Sequence, residues 1–296
     1  MVADNRLDGA TALANAESFI TRDVDLVIEF QTDAAFGATL MQKVDEAGIP
    51  VIAIDIPMGD ALFFGVNNPR AGFMNGSYLA QAAVAEFGMD RVMEGYFIEG
   101  ELPQSGPIPA MRTGGQVAGF LPSVPGFPED HVLTFDSKNT LEESFTQTSN
   151  LLGRIPEGAV VMGTALNDQA TTGILRAAQQ DGREDVVVVG LGADEKETLA
   201  TEGDVVAAVG SFPERYVNSL VPMALATIAG VDLPDAVLIN HVMVTKQTIC
   251  EYYPDQPCAE GEALAYAIPQ AEFEAHLASL QDDPTLADVK NLIPAN

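Results

Sequence analysis

The strongest constraint in this sequence is its rhythm: short runs rich in β-branched residues alternate with amphipathic helical stretches. The runs are DLVIEF (25–30), PVIAID (50–55), LFFGV (62–66), VMEGYFIE (92–99), HVLTF (131–135), AVVMGT (159–164), DVVVVGL (185–191), DVVAAVG (204–210) and VLINHVMVT (237–245). Strands separated by helices return parallel to one another, so the rhythm predicts parallel sheets covered by helices on both faces. Between Asp33 and Gly48 the apolar residues Leu40, Met41, Val44 and Ala47 recur at helical spacing, and Gly48 stops that helix before Ile49-Pro50 opens a strand. Asn67-Asn68 with Pro69 predicts a helix running to Phe87. Asn167-Asp168 predicts one to Gln180, and Pro213-Glu214 predicts one ending near Ile228.

So many strands and crossovers exceed one small sheet, and two doubly wound lobes are the natural division. Strands run straight into helix caps near Gly65–Asn67, Gly210–Phe212 and Asn240, which predicts a three-stranded hinge. One lobe is then 1–66 plus 212–240, and the other is 67–211 plus 241–296. From Glu251 the chain is acidic and Pro-rich, and reads as an irregular tail with one helix around Gln270–Gln281.

Composition bounds the function. Apolar residues make up 47% of 296, enough for a packed core in each lobe. No apolar run reaches the roughly 18 residues of a membrane span. The opening MVADNRLDGATALANAESFI has no basic region followed by an apolar block, so it is not a secretory signal. Forty-three acidic against 14 basic side chains give a formal charge of −29, which argues against nucleic acid and anionic membrane surfaces as partners. Cys250 and Cys258 flank a turn-like EYYPDQP, so a local disulfide is expected over two free thiols, and no histidine stands nearby at zinc spacing. The sequence contains no GxSxG, P-loop or HExxH pattern. VVVVGLGADE lacks the third glycine of a dinucleotide turn, and His131, His241 and His276 lie in no motif, so an α/β enzyme is the weaker reading.

Several segments fall in a familiar order. GIPVIAID (48–55) is followed by Phe64-Gly65-Val66-Asn67-Asn68, then Gly72, Gly76, Leu79 and Ala80. Asn167-Asp168 comes next with Gly173, Leu175, Arg176, Ala177 and Ala178. Then come Val186–Gly190 and Val205–Ser211, with Phe212-Pro213 behind them. Their order and spacing resemble those of periplasmic sugar-binding proteins of the ribose-binding type, the type I periplasmic binding proteins, over roughly Asp4 to Thr245. Such proteins begin with a strand, a helix and a second strand. Here Met1 falls where that second strand has ended, so a first βαβ unit of about forty residues, and a signal peptide before it, are expected upstream. In the 2-1-3-4-5 strand order that would leave DLVIEF as an exposed apolar edge.

In open α/β sheets ligands bind beyond the carboxyl ends of the strands. Asp55, after PVIAI, can accept hydrogen bonds from adjacent sugar hydroxyls or serve as a turn or cap aspartate. Arg112 lies where the family carries a binding arginine, and otherwise reads as half of a surface ion pair. Asn167 can match either end of a hydroxyl or cap the helix behind it, in which case Asp168 would have to cap instead to leave it free. Asn139, Lys138, Gln31 and Thr32 follow strands in matching loops. Two positions depart from the family: its "GFDG" aspartate is absent from Gly190-Leu191-Gly192-Ala193 or displaced to Asp194, and Ser211 stands where a Gln or Asn is common. Phe63, Phe64 and Phe212 are the candidates for stacking on a sugar face.

The resemblance implies an extracytoplasmic, monomeric solute-binding protein. It would close on a sugar or polyol by hinge motion and deliver it to an ABC transporter permease and its ATPase, with no catalytic residues, metal or cofactor. The alternative is a sugar-sensing module of the same fold, either a chemoreceptor partner or the ligand domain of a repressor.

Overall fold

A computed structural model describes residues 1–6, 8–31 and 34–294. In chain order the first lobe's opening elements are α1 (Gly9–Thr21), β1 (Val27–Glu29), α2 (Ala34–Glu46), β2 (Val51–Ile54) and β3 (Leu62–Val66). Then come α3 (Asn68–Phe87), α4 (Met89–Met93), β4 (Tyr96–Glu101), α5 (Pro107–Phe120), β5 (Val132–Asp136), α6 (Leu141–Leu152), β6 (Val161–Ala165), α7 (Asp168–Gln180), β7 (Val186–Gly192), α8 (Lys196–Thr201) and β8 (Val205–Gly210). The chain ends with α9 (Val217–Ile228), β9 (Ala236–Ile239), β10 (Val242–Thr245), α10 (Ile249–Tyr252) and α11 (Gln270–Asp282). Asp33 and Thr32, assigned above to a helix start and a loop, lie outside the described residues.

The strands form two sheets, β1-β2-β3-β9 and β10-β8-β7-β6-β4-β5. Every pairing is parallel except that of β10 with β8. Helices cover both faces of each. In the larger sheet one face packs Ile98, Val161, Ile174 and Val188, and the other packs Phe97, Phe120, Met162 and Val187. In the smaller, Leu40, Val44 and Val51 fill one face, and Ile52, Phe64 and Leu220 the other. β1 is the edge of the smaller sheet, with Ile28 and Phe30 exposed. Among the described residues no helix is long and apolar enough to cross a membrane.

Three sequence expectations need correction. Val92 and Met93 are helical, because Gly88 in the left-handed region ends α3 and Asp90 favours the first turn of a new helix; the strand begins only at Tyr96. The run 237–245 is two strands in different sheets, broken at Asn240-His241 where the chain crosses between them. The helix predicted from Pro213 opens as a short 3-10 turn, and α9 proper starts at Val217. The tail is less irregular than its composition suggested. Phe273, Leu277, Leu286 and Leu292 pack on Phe73 and Met111 of the larger lobe and on Phe63 of the smaller sheet. Cys250 and Cys258 form a disulfide.

Candidate functional site

The carboxyl ends of both sheets face one cavity of about 180 Å³. That is below the roughly 300–1,000 Å³ of drug-sized sites and suits one small molecule. Asp55 and Ile56 after β2, Leu102 after β4, Asn139 after β5, Leu166 and Asn167 after β6, Asp194 after β7 and Ser211 after β8 all reach it. Arg112 from α5 and Tyr216 ahead of α9 complete its polar wall.

Asp55 leaves β2 in the left-handed region, at φ 58°. Its Oδ1 accepts the backbone N–H of Val66 at 2.9 Å, and its own N–H donates to Phe64 at 3.0 Å. Gly65 permits this approach, since a Cβ there would stand 2.6 Å from Asp55 Oδ1. Burial pushes the Asp55 carboxyl above the usual carboxylate range, opposed by the Arg112 charge and by hydrogen bonds from Val66 and Tyr216.

Arg112 is buried in the second turn of α5. Its Nε donates to Asn68 Oδ1 at 2.8 Å and its Nη1 to the Leu166 carbonyl at 2.6 Å, so the guanidinium is held as a fixed fork. Burial lowers its pKa and Asp55 partly restores it. Tyr216 is buried against the same pair. Burial first, and then Asp55, push its hydroxyl well above its ordinary range, while Ser211 donates a hydrogen bond to it.

Asn167 turns out to be the cap of α7: its Oδ1 accepts the Ala170 N–H at 2.8 Å, leaving the amide to face Asn139 O at 3.4 Å. Asp168 is not the cap. Its Oδ2 accepts the N–H groups of Asp194 and Glu195 at 2.9 and 3.3 Å, and burial together with the neighbouring Asp194 carboxylate raises its pKa well above normal. Asp194, two residues beyond Gly192, lines the cavity. Gly192 has φ 133°, open only to glycine, and a Cβ there would lie 2.4 Å from Asp194 Oδ1.

The cavity thus gathers Asp55, Arg112, Asn139, Asn167 and Ser211, but not Gln31. Gln31 lies two residues beyond the end of β1 and is buried beside a separate hollow lined by Met1, Val2, Phe19 and Ile54, while Phe30 borders both that hollow and the cavity. Lys138 is exposed, 3.8 Å from Glu143. The stacking candidates also fail: Phe63 and Phe64 are core residues, and Phe212, at φ 52°, packs between Tyr252 and Tyr253 under the Arg215 guanidinium. The aromatic rings at the cavity are Phe30 and Tyr216. Tyr216 escaped notice because the Pro213 signal placed it inside a helix rather than at its entrance.

The sequence family described as periplasmic binding protein domain matches residues 1–232. The ribose import binding protein of Salmonella typhimurium is 25% identical over 251 residues, covering 83% of this chain and 80% of that one. Two solved structures share the fold. A periplasmic solute-binding protein of an ABC transporter from Actinobacillus succinogenes, with bound D-allose, has a TM-score of 0.68 at 21% identity over 85% of this chain and 87% of its own. A solute-binding protein of an ABC transporter from Bacillus halodurans, with bound myo-inositol, has a TM-score of 0.69 at 23% identity over 85% of each chain.

Proposed function

This chain belongs to the periplasmic binding protein domain family, and on that premise we propose that it is an extracytoplasmic solute-binding protein for a sugar or polyol. The observation that carries the reading is the convergence of polar groups from both lobes on one cavity. Asp55 and Tyr216 come from the smaller sheet's side, and Arg112, Asn139, Asn167 and Asp194 from the larger's. A fixed guanidinium, carboxylates, amides and hydroxyls suit a molecule dense in hydroxyl groups, each of which both donates and accepts. The relatives with bound D-allose and myo-inositol, and the ribose import protein, point to the same ligand class.

None of the three histidines lines the cavity: His131 stacks on Tyr96, His276 packs near Phe73, and His241 lies in the hinge. A ligand bridging the lobes makes all its contacts only when they are shut, so it stabilises the closed form. The closed form is then what a membrane permease, driven by its ATPase, would receive.

A thermal-shift screen of the whole chain against pentoses, hexoses and polyols tests this. A true ligand at 100 times its Kd adds about 2.7 kcal/mol. If no carbohydrate or polyol raises the melting temperature, the reading fails.

A further inference from the structure

The chain passes between its lobes three times: from Val66 to Asn67, from Gly210 to Phe212, and from Ile239 to His241. Adjacent passages are paired by strand backbone, Val66 with Ile239 and Gly210 with Val242. One side chain reaches across all of them. His241, on the third passage, accepts the N–H of Asn67 on the first at Nε2, 3.2 Å away. Its Nδ1 lies 3.2 Å from the carbonyl oxygen of Gly210 on the second. An Nε2 that accepts leaves the proton on Nδ1, so Nδ1–H donates to Gly210 and the imidazole is neutral.

We infer that His241 is the positioning residue of the hinge, tying the three passages into one unit and thereby setting the angle between the lobes and the strength of ligand capture. Its two partners lead directly to the cavity. Asn67 adjoins Asn68, whose side chain donates to Val66 O at 3.1 Å and accepts from the cavity arginine Arg112 at 2.8 Å. Gly210 adjoins Ser211, which lines the cavity and whose N–H donates to Gly192 O at 3.1 Å. A hydrogen-bonded run therefore leads from Arg112 through the first passage and the imidazole to the second passage, and back to the cavity wall. A ligand pulling on Arg112 and Ser211 loads both ends of a connection that His241 completes.

The surroundings keep the ring in the form this requires. His241 is 6% exposed. Burial first, and then the charges of Arg112 and Arg70 on the helices packed against it, hold its pKa down to about 4, so the tie is neutral throughout the physiological range. A protonated ring would turn Nε2 into a donor facing the N–H of Asn67.

The inference does not depend on which ligand is bound, and its first test uses none. Backbone hydrogen exchange and small-angle scattering are measured on the ligand-free whole chain as wild type, His241→Leu and His241→Gln. The leucine removes both hydrogen bonds at similar volume. The glutamine keeps one donor and one acceptor without a titratable group. The expected result is that His241→Leu speeds exchange of the Asn67 amide at least about tenfold and changes the radius of gyration, while the amides of β6 and β7 keep their protection. His241→Gln should restore both readouts. A second arm measures Kd for D-allose, myo-inositol and D-ribose: His241→Leu should weaken whichever binds, and His241→Gln should recover it. Unchanged Asn67 exchange and scattering in His241→Leu would overturn the inference. So would a His241→Gln protein that resembles the leucine variant, because filling space would then be the residue's whole role. If none of the three probes binds wild type, the proposed function loses its support while the exchange and scattering results still decide the hinge.

Discussion

At the scale of single residues, the cavity rests on one compensated pair. Asp55 holds a left-handed backbone that aspartate and asparagine tolerate better than most residues, and its charge is the main counterweight to the desolvated guanidinium of Arg112. Asp55→Asn keeps the backbone geometry and an oxygen for the Val66 N–H, but leaves Arg112 without its partner. Affinity for any sugar found by screening should fall by about 2–4 kcal/mol, roughly 30- to 700-fold, the cost of breaking a buried charge-assisted contact. Titration calorimetry measures it, and an unchanged Kd removes Asp55 from the binding wall. Asp55, Asn139, Asn167 and Ser211 were legible as cavity residues because each follows a strand that the sequence marks by its β-branched run, whereas Arg112, in the second turn of α5, was legible through the family resemblance. Tyr216 was not, since its place depends on where a 3-10 turn gives way to α9. Gln31 does not line the cavity, because the strand ends at Glu29 and the sequence does not say how the chain turns beyond it.

At the scale of elements, α3 and α5 approach more closely than side chains allow, and four glycines make room. A Cβ on Gly76 would stand 1.7 Å from Gln116 O, one on Gly72 1.9 Å from Arg112 O, and one on Gly119 2.2 Å from Phe73 O, while one on Gly115 would have 3.1 Å to Phe73 N and Pro69 O. The contact places Arg112, so packing here reaches the cavity. Gly76→Ala forces backbone against backbone, which no rotamer change relieves. It should destabilise by at least about 2 kcal/mol. Gly114→Ala on the partner helix α5 meets open space and should stabilise by up to about 1 kcal/mol through helix propensity alone. Opposite shifts of the melting temperature in the two variants are the expected outcome; equal shifts would mean that the helices can separate freely. The small residues of α3 were visible in the sequence, but their counterparts on α5 were not, because pairing of helices distant in the chain leaves no periodic trace. The same limit explains 237–245: its apolar run is continuous, and only the tertiary crossing divides it between two sheets.

At the scale of the whole molecule, excess negative charge and buried carboxyls act together. The formal charge is −29 at pH 7, and self-repulsion of that size works against the compact state. Burial pushes Glu29 up to about 7 despite its hydrogen bond from Asn5 at 2.7 Å, and raises Asp55, Glu99 and Asp168 as well. A carboxyl whose folded pKa exceeds its unfolded value adds stability below the unfolded pKa, and that stability is lost as pH rises through the folded value. For Glu29 the loss falls between about 4.5 and 7. His241 has the opposite sign: its pKa is lowered from 6.5 to about 4, so its share is complete above 6.5 and lost as pH falls toward 4. The melting temperature should therefore peak near about pH 6 and decline by several degrees toward pH 8, where repulsion and the ionised Glu29 both oppose folding. The two causes separate by experiment. At pH 8, raising the salt from about 10 mM to 0.5 M shortens the screening length severalfold and should recover the repulsive part. Glu29→Gln leaves that part nearly intact and should flatten the decline only below about pH 7. A wild-type melting temperature that climbs steadily to pH 8 at low salt would show that neither the surface charge nor the buried carboxyls govern stability in this range.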